Sequence, residues 1–277
     1  MADERKTGKV GYGAPDEAEE RTGMFTSGIV STKDGHKIAL FFSGRRHAGE
    51  NLADILRRRR EGLDTPVQMC DALSRNLPKE LKVILANCIA HARRRYVAVL
   101  ENFPAECRHV IEELAKVYKN DEVAREKVMS PEERLKFHQE HSGPVMEKLL
   151  AWLHRQFDEK RIEPNSGLGD AISYSIDHWP ELTLFLRVPG APLDNNICES
   201  ALRKAVIHRN NSLFYKTEHG AEVGDCFMSL IYTCRLAGKD PFHYLTELQR
   251  HHKELAANPK EWMPWNYQET LARIKNN

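Results

Sequence analysis

Apolar and polar positions from Met24 to Gly44, MFTSGIVSTKDGHKIALFFSG, form two β-rich runs. Asp34-Gly35 joins them and suits the positive φ values of a two-residue type I′ turn, so this stretch predicts a β-hairpin. In GENLADILRRRR, residues Leu52, Ile55 and Leu56 fall on one helical stripe with the arginines toward solvent. PVQMCD and LKVILAN are short apolar runs bounded by polar turns and read as buried strands. The predicted order is strand, strand, helix, strand, strand, an α/β arrangement.

After Asn87 the pattern becomes helical. Cys107, Val110, Ile111, Leu114, Val117 and Tyr118 recur at i, i+3, i+4 and i+7, and Ser130-Pro131-Glu132-Glu133 is a capping box with proline at the first helical position. Leu149, Trp152, Leu153 and Phe157 mark a further apolar face, and LGDAISYSIDHWPELTLFLR is helical up to Pro180, with a turn at Val188-Pro189-Gly190. DCFMSLIYTCRLAG and DPFHYLTELQRHHKELAA predict two more helices, the second capped by Asp240, and WMPWNYQET predicts an aromatic tail pinned to the core. Residues 1–23 carry charge and glycine without either period and read as a polar, loosely ordered leader.

Composition changes this picture little. At 277 residues, 41% hydrophobic and 29% charged, the chain has the makings of an ordinary globular protein. Lys+Arg 41 against Asp+Glu 40 gives a formal charge of +1, so any nucleic-acid surface must come from local clusters such as RRRR at Arg57–Arg60 and HARRR at His91–Arg95. The six cysteines are far apart with no zinc-like spacing and read as reduced core residues. No apolar run approaches the roughly 20 residues that span a bilayer, and no signal peptide opens the chain. The expected location is therefore the cytoplasm of a bacterial cell, with no membrane partner.

The candidate chemistry lies in two acids. Asp71 ends a predicted buried strand, and Glu199, in APLDNNICESALRKAVIHRNN, stands near the start of a helix. Brought together, they would suit a divalent cation, which prefers carboxylate and water oxygens. The alternative is structural: Asn196-x-x-Glu199 is also a capping pattern, and Asp71 can cap the turn after its strand. Arg203, four residues after Glu199, pairs with it or contacts phosphate, and Lys204, His208, Arg209 and Lys216 extend the positive character, with Phe214 and Tyr215 interleaved. Arg93, Arg94 and Arg95 present guanidinium groups either to solvent or to a DNA backbone.

The segments GRRHAGENLADIL, PVQMCDALSRN, NCIAHARRRY, EPNSGLGDAI, PGAPLDNNICESALRKAVIHRNNSLFYKTEHGAEVGD, AGKDPFHYLTELQRH and MPWNYQET together resemble transposases of the insertion-sequence 66 family, from about Thr22 to the C-terminus. The resemblance implies a DDE transposase with a ribonuclease-H-like α/β core, a large helical insertion and a helical C-terminal region. On that reading residues 24–95 are the first part of the core, 96–190 the insertion, and 191–277 the Glu199 helix and the C-terminal helices. Asp71 would be the second catalytic acid and Glu199 the third, both holding Mg²⁺, or Mn²⁺ in its place, while water and then a 3′-hydroxyl attack phosphodiester bonds. DNA contacts would fall to Arg93, Arg94, Arg95, Arg203, Lys204, Arg209 and Lys216, and the partners would be transposon-end and target DNA, further copies of the chain, or a full-length transposase.

The family's first catalytic Asp lies on a strand upstream of the hairpin, in an acidic motif followed by Thr. Asp3, Glu4 and Asp16 lie in polar sequence with no β run beneath them, so the core is expected to be incomplete at its N-terminus. A truncated transposase, with little or no strand-transfer activity alone, is the resulting expectation. A non-catalytic remnant that binds DNA or a transposase is the alternative, and an unrelated α/β metal-dependent hydrolase is the third reading.

Overall fold

A computed structural model of the chain describes residues 2–7, 23–79, 81–211 and 215–275, with the backbone alone for 2–7. Strands β1 (Ala2–Thr7), β2 (Met24–Lys33) and β3 (His36–Gly44) are followed by helix α1 (Ala48–Arg57) and strands β4 (Val67–Cys70) and β5 (Ile84–Asn87). Then come α2 (Ile89–Ala98), α3 (Pro104–Glu126), α4 (Pro131–His141), α5 (Gly143–Asp158), α6 (Gly167–Asp177) and α7 (Trp179–Leu182). The last helices are α8 (Asn196–Asn211), α9 (Glu218–Leu236), α10 (Pro241–Arg250), α11 (His252–Ala257) and α12 (Tyr267–Lys275). The chain is α/β and mostly helical, and it divides into two compact units. The first holds residues 1–61, 75–81 and 196–277, and the second 62–74 and 82–195. The expected 24–95 segment is thus shared between them.

In the first unit, β1, β2 and β3 form an antiparallel sheet with β2 in the middle. The hairpin closes at the pair Lys33 and His36, and Asp34 (φ 51) and Gly35 (φ 78) take the positive φ values that a two-residue turn demands. One face of the sheet, through Ile29, packs on Ala48 and Leu52 of α1. The opposite face, through Val30, Ala39 and Phe41, packs on Cys198, Ala201 and Ala205 of α8, with Met228 and Tyr232 of α9 against the same cluster. Gly49 of α1 has no room for a side chain, since a Cβ would stand 2.3 Å from the Leu77 carbonyl oxygen.

The strand β1 corrects the expectation that nothing β-like precedes Met24. Its residues ADERKT have no apolar alternation, and what orders them is pairing with β2, from Ala2 opposite Ile29 to Thr7 opposite Met24. Main-chain hydrogen bonds need no hydrophobic side chain, so periodicity is blind to such a strand.

Helix α9 completes the sheet in an unusual way. Asp225, Ser229 and Thr233 lie four residues apart and meet the main chain of β3 at every second residue. Ala39 N–H donates to Thr233 Oγ1 at 3.0 Å, Phe41 N–H donates to Ser229 Oγ at 3.0 Å, and Ser43 N–H donates to the Asp225 carboxylate. Four helical residues rise about 6 Å and two strand residues about 6.8 Å, so the two repeats stay in step over this length. A helix thereby satisfies an edge strand whose donors would otherwise invite another chain. Farther along, Trp262 and Tyr267 of the aromatic tail pack on Cys234 and Tyr244, as the sequence led us to expect.

In the second unit, β4 and β5 pair in parallel, and Cys88 N–H extends the ladder by donating to the Cys70 carbonyl at 3.0 Å. Helices α2 to α7 complete it. The capping box forms as predicted, with Glu133 N–H donating to Ser130 Oγ and Ser130 N–H to the Glu133 carboxylate. At the centre of α3, α4 and α5, Asp121 accepts two hydrogen bonds from Arg134 and one from His138, whose other ring nitrogen meets Ser142. This Ser, His and Asp sequence resembles a hydrolytic triad in composition only. Ser142 is completely buried, so no substrate reaches its hydroxyl, and the cluster is a staple between helices.

Candidate functional site

The two predicted acids fall in different units. Asp71 follows β4 in the second unit, half-buried, and its carboxylate accepts from Leu73 N–H at 3.4 Å, the turn-capping role foreseen as an alternative. Around it the carboxyl ends of β4 and β5 gather polar groups. Asn87 and Asn195 are buried there, and neither side-chain amide has a hydrogen-bond partner among the described residues. Buried amides of this kind call for a ligand, ion or water. Burial pushes the neighbouring Cys88 thiol up to about 11, so it stays protonated and is a poor candidate for a thiolate ligand. Asp71, Asn87 and Asn195 offer oxygens, the chemistry that Mg²⁺ and Mn²⁺ take, and His91, with a ring nitrogen within 4.8 Å of the Cys88 sulfur, offers a nitrogen.

In the first unit, Glu199 stands in the first turn of α8 and is only 4% exposed. A carboxylate is rarely placed so deep without a specific purpose. Cys198 and Leu202, on the same turn of helix, face the sheet. Cys198 Sγ lies 3.1 Å from the Gly28 carbonyl, and a Cβ built on Gly28 would lie 3.5 Å from Leu202 and 3.8 Å from Cys198. The partner of Gly28 on β1 is Asp3.

The basic residues separate by exposure. Arg93, Arg94 and Arg95 are exposed on α2, a helix with no acidic residue, and Arg203, Lys204 and Lys216 are also exposed. Arg209 departs from the expected DNA-contacting set. It is 5% exposed and donates to Thr26 Oγ1 at 2.6 Å, so α8 turns it into the sheet. Phe214, expected beside Tyr215, and Asp16 lie outside the described residues. Sequence reasoning missed Tyr174 of α6, whose ring lies 3.9 Å from the Arg95 guanidinium carbon. It also missed Asp225, whose carboxyl burial pushes up to about 6 against the Ser43 hydrogen bonds. Their spacing was visible, but the elements they face were not. Five cysteines are buried as expected, while Cys226 is exposed on α9. No helix among the described residues is long and apolar enough to cross a membrane.

Comparison with known proteins gives this geometry a context. The chain is 35% identical over 166 residues to the uncharacterized protein y4jD of Sinorhizobium fredii, covering 59% of this chain and 32% of that protein. It is 28% identical over 206 residues to y4hP of the same organism, covering 70% of this chain and 37% of the relative. The chain therefore spans about a third of the length of the curated relatives it matches. No solved structure matches it. The family described as Transposase IS66 family matches over residues 9–223, most of the sequence, and the chain belongs to that family.

Proposed function

We propose that the chain is the DNA-cutting and strand-joining region of a transposase, built on a ribonuclease-H-like core with a helical insertion over 96–190. Asp71 and Glu199 are its metal-holding acids. The observation that carries this reading is Glu199, a carboxylate buried in the first turn of α8 in a chain of the transposase family.

Both acids are hard oxygen donors suited to Mg²⁺ or Mn²⁺. A bound cation supplies positive charge to the attacking and leaving oxygens of a phosphodiester. The protein's own groups do the rest: the carboxylates hold and orient, while Arg93, Arg94, Arg95, Arg203, Lys204 and Lys216 neutralise phosphates of the end and target DNA, with a further copy of the chain as a natural partner. Arg209 is not in this set, because its guanidinium serves the sheet.

The test is nicking of supercoiled plasmid by the purified chain with Mg²⁺ or Mn²⁺, alongside calorimetric titration of Mn²⁺. Both signals should fall to background in Asp71→Asn and Glu199→Gln alike. Nicking that survives Asp71→Asn and Glu199→Gln sinks the catalytic reading. If salt-sensitive DNA binding then persists and depends on Arg93 to Arg95, the second reading stands, a binding protein without catalysis. The acid-free, arginine-rich face of α2 is what favours that alternative.

A further inference from the structure

Within the second unit, one surface of α2 and α6 is built as a ledge. Arg95 is exposed, yet its guanidinium is held over the ring of Tyr174 at 3.9 Å, and Tyr174 in turn meets the ring of His178 edge-on at 4.7 Å. No described carboxylate pairs with Arg95, and α2 carries none. An arginine on a protein surface ordinarily wanders. This one has its guanidinium carbon held over an aromatic ring, its charge left for something outside the protein. Tyr174 lies within electrostatic reach of Asp71, Cys70 and Cys88 at the carboxyl ends of β4 and β5, so the ledge adjoins a proposed catalytic acid.

We propose that Arg95, backed by Tyr174, seats an unpaired nucleotide of the DNA strand presented to Asp71. The base stacks on the outward side of the guanidinium plane, and Arg93 and Arg94 take the flanking phosphates. This inference rests on the DNA-processing reading above. A duplex offers no unstacked base to such a ledge, whereas a single strand does, and stacking of this kind tolerates any sequence because every base has a π face. The helical segment that contributes Tyr174 and His178 thereby gains a task, the holding of a base displaced from its stack beside the reacting phosphate.

The experiment measures binding of the full chain to a fluorescein-labelled oligothymidylate and to a blunt duplex of equal length, by fluorescence anisotropy over a range of salt. The wild-type chain should prefer the single strand. Tyr174→Ala and Arg95→Lys should each weaken single-strand binding roughly tenfold, and Tyr174→Ala should leave duplex binding and the salt slope unchanged, because it removes no charge. Tyr174→Phe should retain the preference, since the ring remains. Arg95→Lys is an exposed, charge-conserving change that leaves the fold intact, so the outcome does not depend on Tyr174→Ala being stable. A preference that survives both Arg95→Lys and Tyr174→Ala overturns the proposal, as does wild-type binding without any preference, and either result leaves the transposase reading standing. Binding of neither DNA overturns both.

Discussion

The two units each bury an aspartate and treat it in opposite ways. Asp225 of the first unit accepts from Ser43 through its backbone amide and hydroxyl, and burial raises its carboxyl to about 6. Burial would raise Asp121 of the second unit as well, but the His138 hydrogen bond and the Arg134 guanidinium outweigh it and hold the carboxyl below its ordinary range. The difference lies in what faces each group. Asp225 is met by neutral donors, and its nearby charges, Glu222 and Arg209, oppose one another. Asp121 has Arg134 and Arg125 against it, with His138 alongside. A buried carboxylate therefore does not define a unit's electrostatics by itself; the charge of its donors does.

The contrast can be broken most severely at Asp121. Replacing it with alanine leaves Arg134 and the buried His138 without their shared acceptor, and the expected cost is about 3–5 kcal/mol, the range for breaking a buried ion pair. Denaturant unfolding measures it, and amide exchange should show the loss in α3, α4 and α5 while the β3 amides stay protected. Equal loss in both units would show that they do not unfold separately.

Acidity should pull the units in opposite directions. Asp225 has a folded pKa above its unfolded value, so its contribution is fully present below the ordinary aspartate range and fades as pH rises through about 6. That loss is at most about 3 kcal/mol for a shift of this size. Asp121 has a depressed folded pKa, so its contribution is present above the ordinary range and fades as pH falls through the lowered value. Amide exchange followed from mildly acidic to neutral pH should show protection of β3 falling while that of α3 and α4 holds, and Asp225→Asn should flatten the first trend. A β3 protection that rises with pH would contradict the assignment.

The smallest expected effect sharpens the account of the strand edge. Ser229→Ala removes the acceptor of Phe41 N–H and should cost about 1 kcal/mol, read as faster exchange of that amide with its neighbours little changed. An unaltered Phe41 amide would mean that α9 covers the edge without bonding to it.

Much of this was legible beforehand, for identifiable reasons. The Asp34-Gly35 turn, the Ser130 capping box, the Asp240 cap and the apolar faces of α3 and α5 are local, each set by a few neighbouring residues. Glu199 and Asp71 stood out because motif and position coincide. Hidden were β1, whose order comes from pairing with a strand far along the chain, and the fate of Arg209, which resembles its exposed neighbours until Thr26 is seen opposite it. Tyr174 looked like one more aromatic on a helix until α6 met α2.

By itself, then, the sequence determined the elements whose hydrogen bonds and apolar periods close within a few residues, and with them the family. Tertiary structure alone decided which residues meet: that Asp3 is in register with Gly28, that α9 runs in step with β3, and that Arg95 rests on Tyr174. Those pairings join residues tens to hundreds of positions apart, and no local propensity contains the register or helix packing that brings them together.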